Sequence, residues 1–403
     1  MVPNGWKVLP LSEITKEKIS YGIVQAGPHV EAGIPYIKSA DVGGDIDVQK
    51  LQRTAPEIHH KYRRSAVHPN DIVFSLRGNI ARTSIVPSDL PEANLTQGTA
   101  RISVDEQNDT KFVYYKLASK PILNRINSLS KGSTFKEISL EELRKVKLPL
   151  PPLPEQRKIA KILSTWDKAI STTEKLIETS KQQKKALMQQ LLTGKKRLVN
   201  PETGKAFEGE WEVTSVDSTS KCFSGGTPSR TKDEYYGGSI PWITSGKVND
   251  RFVETVNEYI TESGVANSSA KYVKQGALLV AMYGATAGKV AINRLQSATI
   301  NQAVLALEVK NSFSNIFLFY LLEKEMEKAL SLVQGGQPNL NASIIKSIKI
   351  KLPNYKEQQK IASVLTAADK EIEVLEAKLA HFKQEKKALM QQLLTGKRRL
   401  HVE

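Results

Sequence analysis

A twelve-residue segment occurs twice in this chain and dominates any interpretation of its fold. Residues 184–195 and 386–397 both read KKALMQQLLTGK, 202 positions apart. The similarity extends towards the amino terminus, and 26 of 44 positions in 155–198 are identical in 357–400. Each copy closes a half of roughly two hundred residues. We therefore interpret the chain as a tandem duplication, an arrangement suited to a target that itself has two halves, such as duplex DNA.

The composition indicates a globular protein with an anionic partner. Hydrophobic residues make up 40% of the 403 residues, which is enough for a core in each half. The net charge of +16 favours nucleic acid over other partners, although a merely basic protein has the same balance. Cys222 is the single cysteine, so intrachain disulfides and cysteine-based zinc sites are excluded. No histidine pattern typical of a metal site occurs, and we predict no metal.

Targeting and membrane segments are not predicted. The first residues, MVPNGWKVLPLSE, do not combine a charged start with an apolar run. The longest apolar runs, 316–322 and 277–282, are far shorter than the roughly 20 residues needed to cross a bilayer. These observations predict a cytoplasmic protein with no membrane partner.

Shorter matches relate the remainder of the two halves. Residues 34–37 (IPYI) correspond to 240–243 (IPWI), and residues 147–149 and 351–353 both read KLP. We predict a first recognition domain over 1–152, a first helix over 153–198, a second recognition domain over 199–354 and a second helix over 355–403.

The globular regions combine strand and helix patterns. Residues 71–76 and 277–282 are short runs of apolar and β-branched residues, which predict strands. Residues 112–117 and 316–328 predict helices, and the segments 132–134 and 335–339 predict loops. Each region is expected to be an α+β domain with a twisted, partly closed sheet.

The repeated segments predict two long amphipathic helices. Pro154 suits a first helical turn, and Gly194 and Gly396 suit C-terminal caps. In the second copy, apolar residues recur at alternating steps of four and three, interrupted only by Lys386: Ile361, Leu365, Ala368, Ile372, Leu375, Leu379, Phe382, Leu389 and Leu393. This is the pattern of a coiled-coil seam. Helices of ~38 residues would be ~57 Å long.

A single exposed helix of that length would leave its apolar seam in water, so we predict that the two copies pair with one another. Pairing with another chain is the alternative. The predicted fold is α+β, a tandem pseudo-two-fold duplication with two globular recognition domains separated by a long antiparallel helical coiled coil.

Signatures of catalysis are weak in this sequence. The Asn200-Pro201-Glu202 segment lacks the second proline and the aromatic residue of an adenine methyltransferase motif. The segment from Gly284 to Lys289 has too short a glycine spacing for a phosphate-binding loop, and Val290 replaces the required hydroxyl. We predict that the chain is not an enzyme.

The repeated helices resemble those of one known family. The pattern LPxxxEQxKIA at 150–160, with its counterpart at 352–362, is followed in both copies by KxxLMQQLLTGK. Together with the openings of the two halves, Gly5-Trp6 and Gly209-Glu210-Trp211, this resembles the specificity subunit of type I restriction-modification enzymes. The resemblance covers essentially the whole chain.

That resemblance implies a division of labour. Each globular region would recognise one half of a split, double-stranded DNA target, and the paired helices would fix the gap between the half-sites. Two modification (methyltransferase) subunits would dock and methylate adenines with S-adenosylmethionine. Two restriction subunits, ATP-dependent translocase/endonucleases that use ATP and Mg2+, would join them. This chain itself would need no cofactor.

Candidate DNA-binding residues are polar side chains on loops at matching places in the two halves. In the first half they are Lys38, Ser39, Arg77, Asn79, Arg82, Thr96, Gln97, Lys131, Ser133 and Thr134. In the second half they are Thr244, Ser245, Lys247, Tyr283, Thr286, Asn301, Gln302, Gln334, Gln337 and Asn339. Such side chains suit base edges, whereas phosphate contacts supply salt-sensitive affinity. They are equally compatible with ordinary solvated loops.

Two other functions remain open at this point. A coiled-coil scaffold would bind DNA weakly and without regard to sequence, and a cryptic nuclease would cut DNA with a metal ion. The first half lacks a counterpart in sequence of GGTPS at 225–229, so the two half-sites are expected to differ. The recognition sequence and the spacer length do not follow from these residues.

Overall fold

The chain folds into two compact units. The computed structural model describes residues 3–132, 136–331 and 340–401. Unit 1 comprises residues 1–175 and 377–403, and unit 2 comprises residues 176–376. The boundaries between the units therefore fall inside the two repeated helices. No helix in the described ranges is long and apolar enough to cross a membrane.

Unit 1 contains the first globular region. Its described strands are β1 Lys7–Pro10, β2 Ser20–Tyr21, β3 Ile34–Ile37, β4 Gln52–Thr54, β5 Ile72–Ser75, β6 Thr83–Ile85, β7 Asn94–Leu95, β8 Thr99–Ile102 and β9 Lys147–Leu150. One sheet has the order β2-β8-β5-β6, a second has the order β4-β3-β7, and β1 pairs with β9. The single sheet expected from the sequence is thus divided into smaller sheets.

Short helices connect the strands of this region. The described helices of this region are α1 Pro56–Lys61, α2 Thr110–Leu117, α3 Lys120–Leu129 and α4 Leu140–Lys145, with short 3-10 turns at Leu11–Glu13, Ser39–Asp41, Val48–Lys50 and Arg63–Ser65. In β5, Ile72 and Phe74 join the core that includes α2, whereas Val73 joins a second core with Ile37 and Leu95. Alternate residues of a strand point to opposite faces, so β5 is buried on both.

The first long helix, α5 Leu153–Leu191, follows β9 and leads into unit 2. The described strands of unit 2 are β10 Glu212–Ser215, β11 Ser220–Ser224, β12 Tyr236–Ile243, β13 Phe252–Val253, β14 Glu258–Ile260, β15 Lys271–Val273, β16 Leu278–Ala281, β17 Val290–Asn293, β18 Ala298–Ile300, β19 Val304–Val309 and β20 Lys349–Leu352. The sheet orders are β11-β19-β16-β17-β13 and β14-β12-β18-β15, and β10 pairs with β20.

The helices of unit 2 repeat the plan of unit 1. They are α6 Val216–Thr219, α7 Glu262–Ala266, α8 Asn315–Ser331, α9 Ala342–Ser347 and the second long helix α10 Tyr355–Leu393, with 3-10 turns at Asp233–Tyr235 and Ser245–Asp250. Strand β16, like β5, contributes alternate residues to two cores. The structure confirms the strands predicted around 71–76 and 277–282 and the helices predicted around 112–117 and 316–328. The loop predicted at 335–339, and residues 133–134 of the other predicted loop, lie outside the described residues.

Within unit 1, the first part of α5 packs against the last part of α10. The ring of Trp166 meets that of Phe382 edge-on at 5.5 Å. Glu174 pairs with Lys383, whereas the earlier residue Asp167 pairs with the later residue Lys386. This order of contacts shows that the two segments run antiparallel.

Within unit 2, the complementary parts of the same helices pair in the same way. Lys181 pairs with Glu376 at 2.6 Å, and Lys184 pairs with Asp369 at 2.5 Å. Both pairs are the repeats of those in unit 1, with the acidic and basic partners on exchanged helices. The predicted pairing between the two copies is therefore confirmed in each unit.

A glycine closes each long helix, as the sequence predicts. Gly194 and Gly396 have φ values of 71° and 70°, which L-residues rarely adopt. A Cβ added at Gly194 would lie 3.3 Å from the indole of Trp211, and one added at Gly396 would lie 3.3 Å from that of Trp6. The repeated glycine and the tryptophan near the start of each half thus belong to one packing arrangement.

Each long helix also begins with a buried carboxylate. Glu357 has no exposed surface, and Arg197 holds both of its oxygens through Nε at 2.6 Å and Nη2 at 2.7 Å. The repeat of this pair in unit 1 joins Glu155 to Arg399, with both contacts at 2.9 Å. A bidentate pair of this kind satisfies a charge that burial would otherwise penalise.

The variant Arg197→Ala is expected to destabilise unit 2 by about 3 kcal/mol, the lower end for a buried pair, because Arg197 itself is partly exposed. Urea unfolding gives the size of the effect, and hydrogen exchange assigns it to unit 2. The control Lys181→Ala breaks an exposed ion pair and is expected to cost about 0–1 kcal/mol. Equal losses in the two variants would contradict this assignment.

Candidate nucleic-acid interface

In unit 1, candidate residues meet where two parallel strands end. Lys38 and Ser39 follow β3, and Thr96 and Gln97 follow its parallel neighbour β7. The amide of Thr96 donates to the carbonyl of Ile37 at 3.2 Å. The Ser39 hydroxyl donates to the carbonyl of Gly98 at 2.9 Å. The structure therefore brings these two predicted loops together.

Arg77 joins this group from the end of β5. A Cβ added at Gly98 would lie 3.3 Å from Cγ of Arg77, so the two residues are in close contact. The guanidinium donates to Glu137 at 2.9 Å, and the backbone of Glu137 pairs with that of Lys131. We name Lys38, Ser39, Arg77, Thr96, Gln97 and Lys131 the unit 1 cluster.

Other candidates in this half have different surroundings. Asn79 and Arg82 lie in the turn between β5 and β6, and the side chain of Arg82 packs against Gly43. Ser133 and Thr134 lie outside the described residues. The sequence grouped Asn79 and Arg82 with Arg77 because they are polar and close along the chain.

Gln52 of β4 was not a candidate, but it contacts the unit 1 cluster. Its amide oxygen accepts hydrogen bonds from the Tyr36 hydroxyl at 2.6 Å and from Lys38 Nζ at 3.2 Å. Burial raises the pKa of Tyr36, and the nearby charge of Asp41 raises it further. The phenol therefore stays protonated and remains a donor to Gln52. A cross-strand contact of this kind has no signal in the sequence.

Unit 2 holds a second group at equivalent strand ends. Thr244 and Ser245 follow β12, Asn301 and Gln302 follow β18, and Tyr283 lies just beyond β16. The amide of Asn301 donates to the carbonyl of Ile243 at 3.1 Å, as Thr96 does to Ile37. The Tyr283 hydroxyl donates to the carbonyl of Gln302 at 2.6 Å. We name Thr244, Ser245, Tyr283, Asn301 and Gln302 the unit 2 cluster.

The remaining candidates of unit 2 are less closely joined to this cluster. Lys247 turns towards Asp250 at 2.5 Å and Thr255 at 3.3 Å. Thr286 lies in the turn after β16, where its carbonyl accepts from the amide of Lys289. Gln334, Gln337 and Asn339 lie outside the described residues.

An arginine that was not a candidate lies three residues after Thr227, whose hydroxyl contacts Gln302. Arg230 stacks over the rings of Tyr236 and Trp242, at 4.5 and 5.3 Å, and donates twice to Glu258, at 2.6 and 3.2 Å. Glu258 also raises the pKa of this guanidinium through their hydrogen bond. The GGTPS stretch marked the loop in the sequence, but the partners of Arg230 are distant along the chain.

Both clusters offer groups that recognise base edges. They combine hydroxyls, side-chain amides and, in unit 1, a guanidinium and two lysines. Amides and guanidinium groups can each bind one base through two hydrogen bonds, which is the strongest form of direct recognition. Lysines contribute phosphate contacts that carry no sequence information.

Comparison with known proteins identifies the family. The model of the type I restriction modification DNA specificity domain matches this sequence twice, over residues 3–181 and 208–384. The chain belongs to this family. The prediction of a DNA-specificity subunit is therefore confirmed over that of a scaffold with incidental charge.

Relatives and solved structures agree with this assignment. The MjaVIII specificity subunit of a type I restriction enzyme from Methanocaldococcus jannaschii is 28% identical, over 99% of this chain and 94% of its own length. The fold is similar to that of a type I restriction-modification S subunit from M. genitalium, with a TM-score of 0.60, 15% identity and coverage of 100% of this chain and 99% of that one. It is also similar to an HsdS subunit from Thermoanaerobacter tengcongensis, with a TM-score of 0.53, 19% identity and 98% coverage of both.

The variant Arg77→Ala is expected to weaken DNA binding by about 1–3 kcal/mol, or to relax one position of one half-site, because it removes a guanidinium from the unit 1 cluster. Fluorescence anisotropy on duplexes altered in either half measures both effects. Arg125→Ala, on the exposed side of α3, is the control and should bind as the wild type does. Unchanged affinity of Arg77→Ala for every duplex would remove Arg77 from the interface.

Proposed function

We propose that this chain is the subunit that reads an asymmetric, bipartite DNA target in a type I restriction-modification complex, with one half-site recognised by each unit. The observation that carries this proposal is the presence of two clusters at equivalent strand ends. Their backbones correspond, whereas their side chains differ: Tyr283 replaces Arg77, and Asn301 replaces Thr96. Corresponding backbones that carry different hydrogen-bond donors and acceptors are suited to two different half-sites.

The chemistry of the complex is assigned to partner subunits. Two modification subunits would use S-adenosylmethionine to methylate one adenine in each half-site, and two restriction subunits would use ATP and Mg2+. This chain contributes recognition and no catalysis. A methyltransferase must extrude its adenine from the duplex, so the clusters have to hold DNA beside a distorted step. The complex acts on DNA in the cytoplasm.

The repeated helix ends are the proposed docking surfaces for the modification subunits. In unit 1, Lys383, Lys386, Met390 and Gln391 line a groove of about 810 Å3 whose other wall is formed by α3 and the two residues before it. In unit 2, the equivalent residues Lys181, Lys184, Met188 and Gln189 line a groove of about 690 Å3. The same surface presented twice suits one type of partner bound twice.

Mapping of DNA methylation tests the proposal as a whole. The chain is co-expressed with its modification subunit in a host without other adenine methylation, and N6-methyladenine is located by sequencing. We expect one bipartite motif with a fixed gap and different half-sites. A stable complex that leaves the DNA unmethylated, and that binds all sequences equally, would contradict the proposed function.

Variants of the two grooves test the docking surfaces. Met390→Glu and Met188→Glu each bury a charge in one contact surface, so each is expected to remove one modification subunit, and the double variant to remove both. Native mass spectrometry counts the bound subunits directly. Gln190→Glu adds the same charge outside the residues that line the groove and serves as control. Two bound subunits in the double variant would exclude these grooves.

A further inference from the structure

Two loops of equivalent position border the clusters but carry unlike residues. The unit 1 loop comprises residues 22–26, after β2, and the unit 2 loop comprises residues 225–231, after β11. The sequences GIVQA and GGTPSRT share only their first glycine. In the structure, residues 22–26 are therefore the counterpart in unit 1 of the GGTPS stretch, although their sequence does not resemble it.

The shared glycine fixes both loops against the strand that leads into the cluster. A Cβ added at Gly22 would lie 1.8 Å from the carbonyl oxygen of Leu95, and one added at Gly225 would lie 1.8 Å from that of Ile300. The amides of the two glycines donate to the carbonyls of Thr96 and Asn301, both at 3.3 Å. Only glycine allows so close an approach, so each loop is held at a defined place beside its cluster.

The unit 1 loop presents an apolar side chain to solvent. Ile23 is buried, and its carbonyl accepts a hydrogen bond from the amide of Gln97 at 2.9 Å. The next residue, Val24, is 54% exposed. A valine isopropyl group is therefore available to solvent one residue after Ile23, whose carbonyl is bonded to the backbone of Gln97.

The unit 2 loop presents a hydroxyl at the same place. Thr227 is exposed and donates a hydrogen bond to the side-chain amide oxygen of Gln302. The Tyr236 hydroxyl donates to the carbonyl of Pro228 at 2.6 Å, and Arg230 is held by Glu258 and two rings as described above. These contacts fix the loop, so that the loop in turn fixes Gln302.

We infer that the residue two positions after Gly22 and the residue two positions after Gly225 determine specificity. Val24 contacts a thymine methyl group in one half-site, and Thr227 orients Gln302 towards the other half-site. This inference rests on the proposed function. The thymine C5-methyl is the apolar group that a base pair presents in the major groove, and an exposed valine is its natural partner. Thr227 is a positioning residue, because it acts through the amide of Gln302.

The test for Val24 removes a single methyl group from the DNA. The complex with its modification subunits is bound to the duplex identified by methylation mapping, in which each thymine of the unit 1 half-site is replaced in turn by deoxyuridine. The wild type is expected to lose about fourfold in affinity at one position, the effect of one buried methyl-sized group. In Val24→Ala, the affinities for the thymine and deoxyuridine duplexes should become nearly equal at that position. Deoxyuridine in the other half-site should have the same effect as in the wild type.

The test for Thr227 compares two substitutions. Thr227→Val keeps the shape but removes the hydroxyl, and Thr227→Ser keeps the hydroxyl. The preference for the target over duplexes altered in the unit 2 half-site should fall by about twofold to tenfold in Thr227→Val, the range of one neutral hydrogen bond. It should be restored in Thr227→Ser, and preference in the unit 1 half-site should not change.

The outcomes separate this inference from the proposed function. Sequence-independent binding by the wild-type complex contradicts the proposed function itself. Sequence-specific binding without a deoxyuridine effect, or with the same effect in Val24→Ala, overturns the role of Val24. Equal preference in Thr227→Val and the wild type overturns the role of Thr227.

Discussion

The architecture of each unit depends on a buried carboxylate at the start of a long helix. Glu155 and Glu357 are satisfied by arginines that follow the end of the other copy, Arg399 and Arg197. A carboxylate deprived of its partner in such a place is costly, so the start of one helix fixes the end of the other. The paired helices, the capping glycine and the tryptophan that packs against this glycine, together with the ion pair, form the frame of each unit. The globular regions are therefore free to change their loops while the frame is kept.

The sequence predicted this frame well because the repeat made it visible. A pattern at steps of three and four identifies a helix face, and its duplication identifies the partner of that face. Residues such as Ile361 and Phe382 could be placed on the seam without any structure. The extent of the sheets was less accessible, because most of the described strands have two to five residues and such short strands carry little periodic signal. Their division into smaller sheets depends on contacts between residues far apart along the chain.

The candidate site was predicted in part. Ser39, Arg77 and Gln97 were chosen as polar residues after strands. Ser39 and Gln97 follow the parallel strands β3 and β7, which end at one edge, and Arg77 reaches them through its contact with Gly98. Lys247 met the same criterion, yet its side chain turns to a neighbouring carboxylate. Gln52 and Arg230 were missed because their relevance comes from tertiary contacts. Polar residues in loops after strands can be selected from the sequence, whereas their individual contacts require the fold.

The division of the chain into units has a consequence for synthesis on the ribosome. Unit 2 is one continuous segment, whereas unit 1 joins residues 1–175 to residues 377–403. At about 5–20 residues per second, roughly 200 residues of unit 2 separate the two parts of unit 1 by about 10–40 s. During this interval the nascent first region lacks the helix that covers Leu163 and the arginine that neutralises Glu155. Synthesis of unit 2 is thus completed before that of unit 1, although unit 2 begins later in the chain. During this interval the nascent first region exposes the most surface for a chaperone to bind.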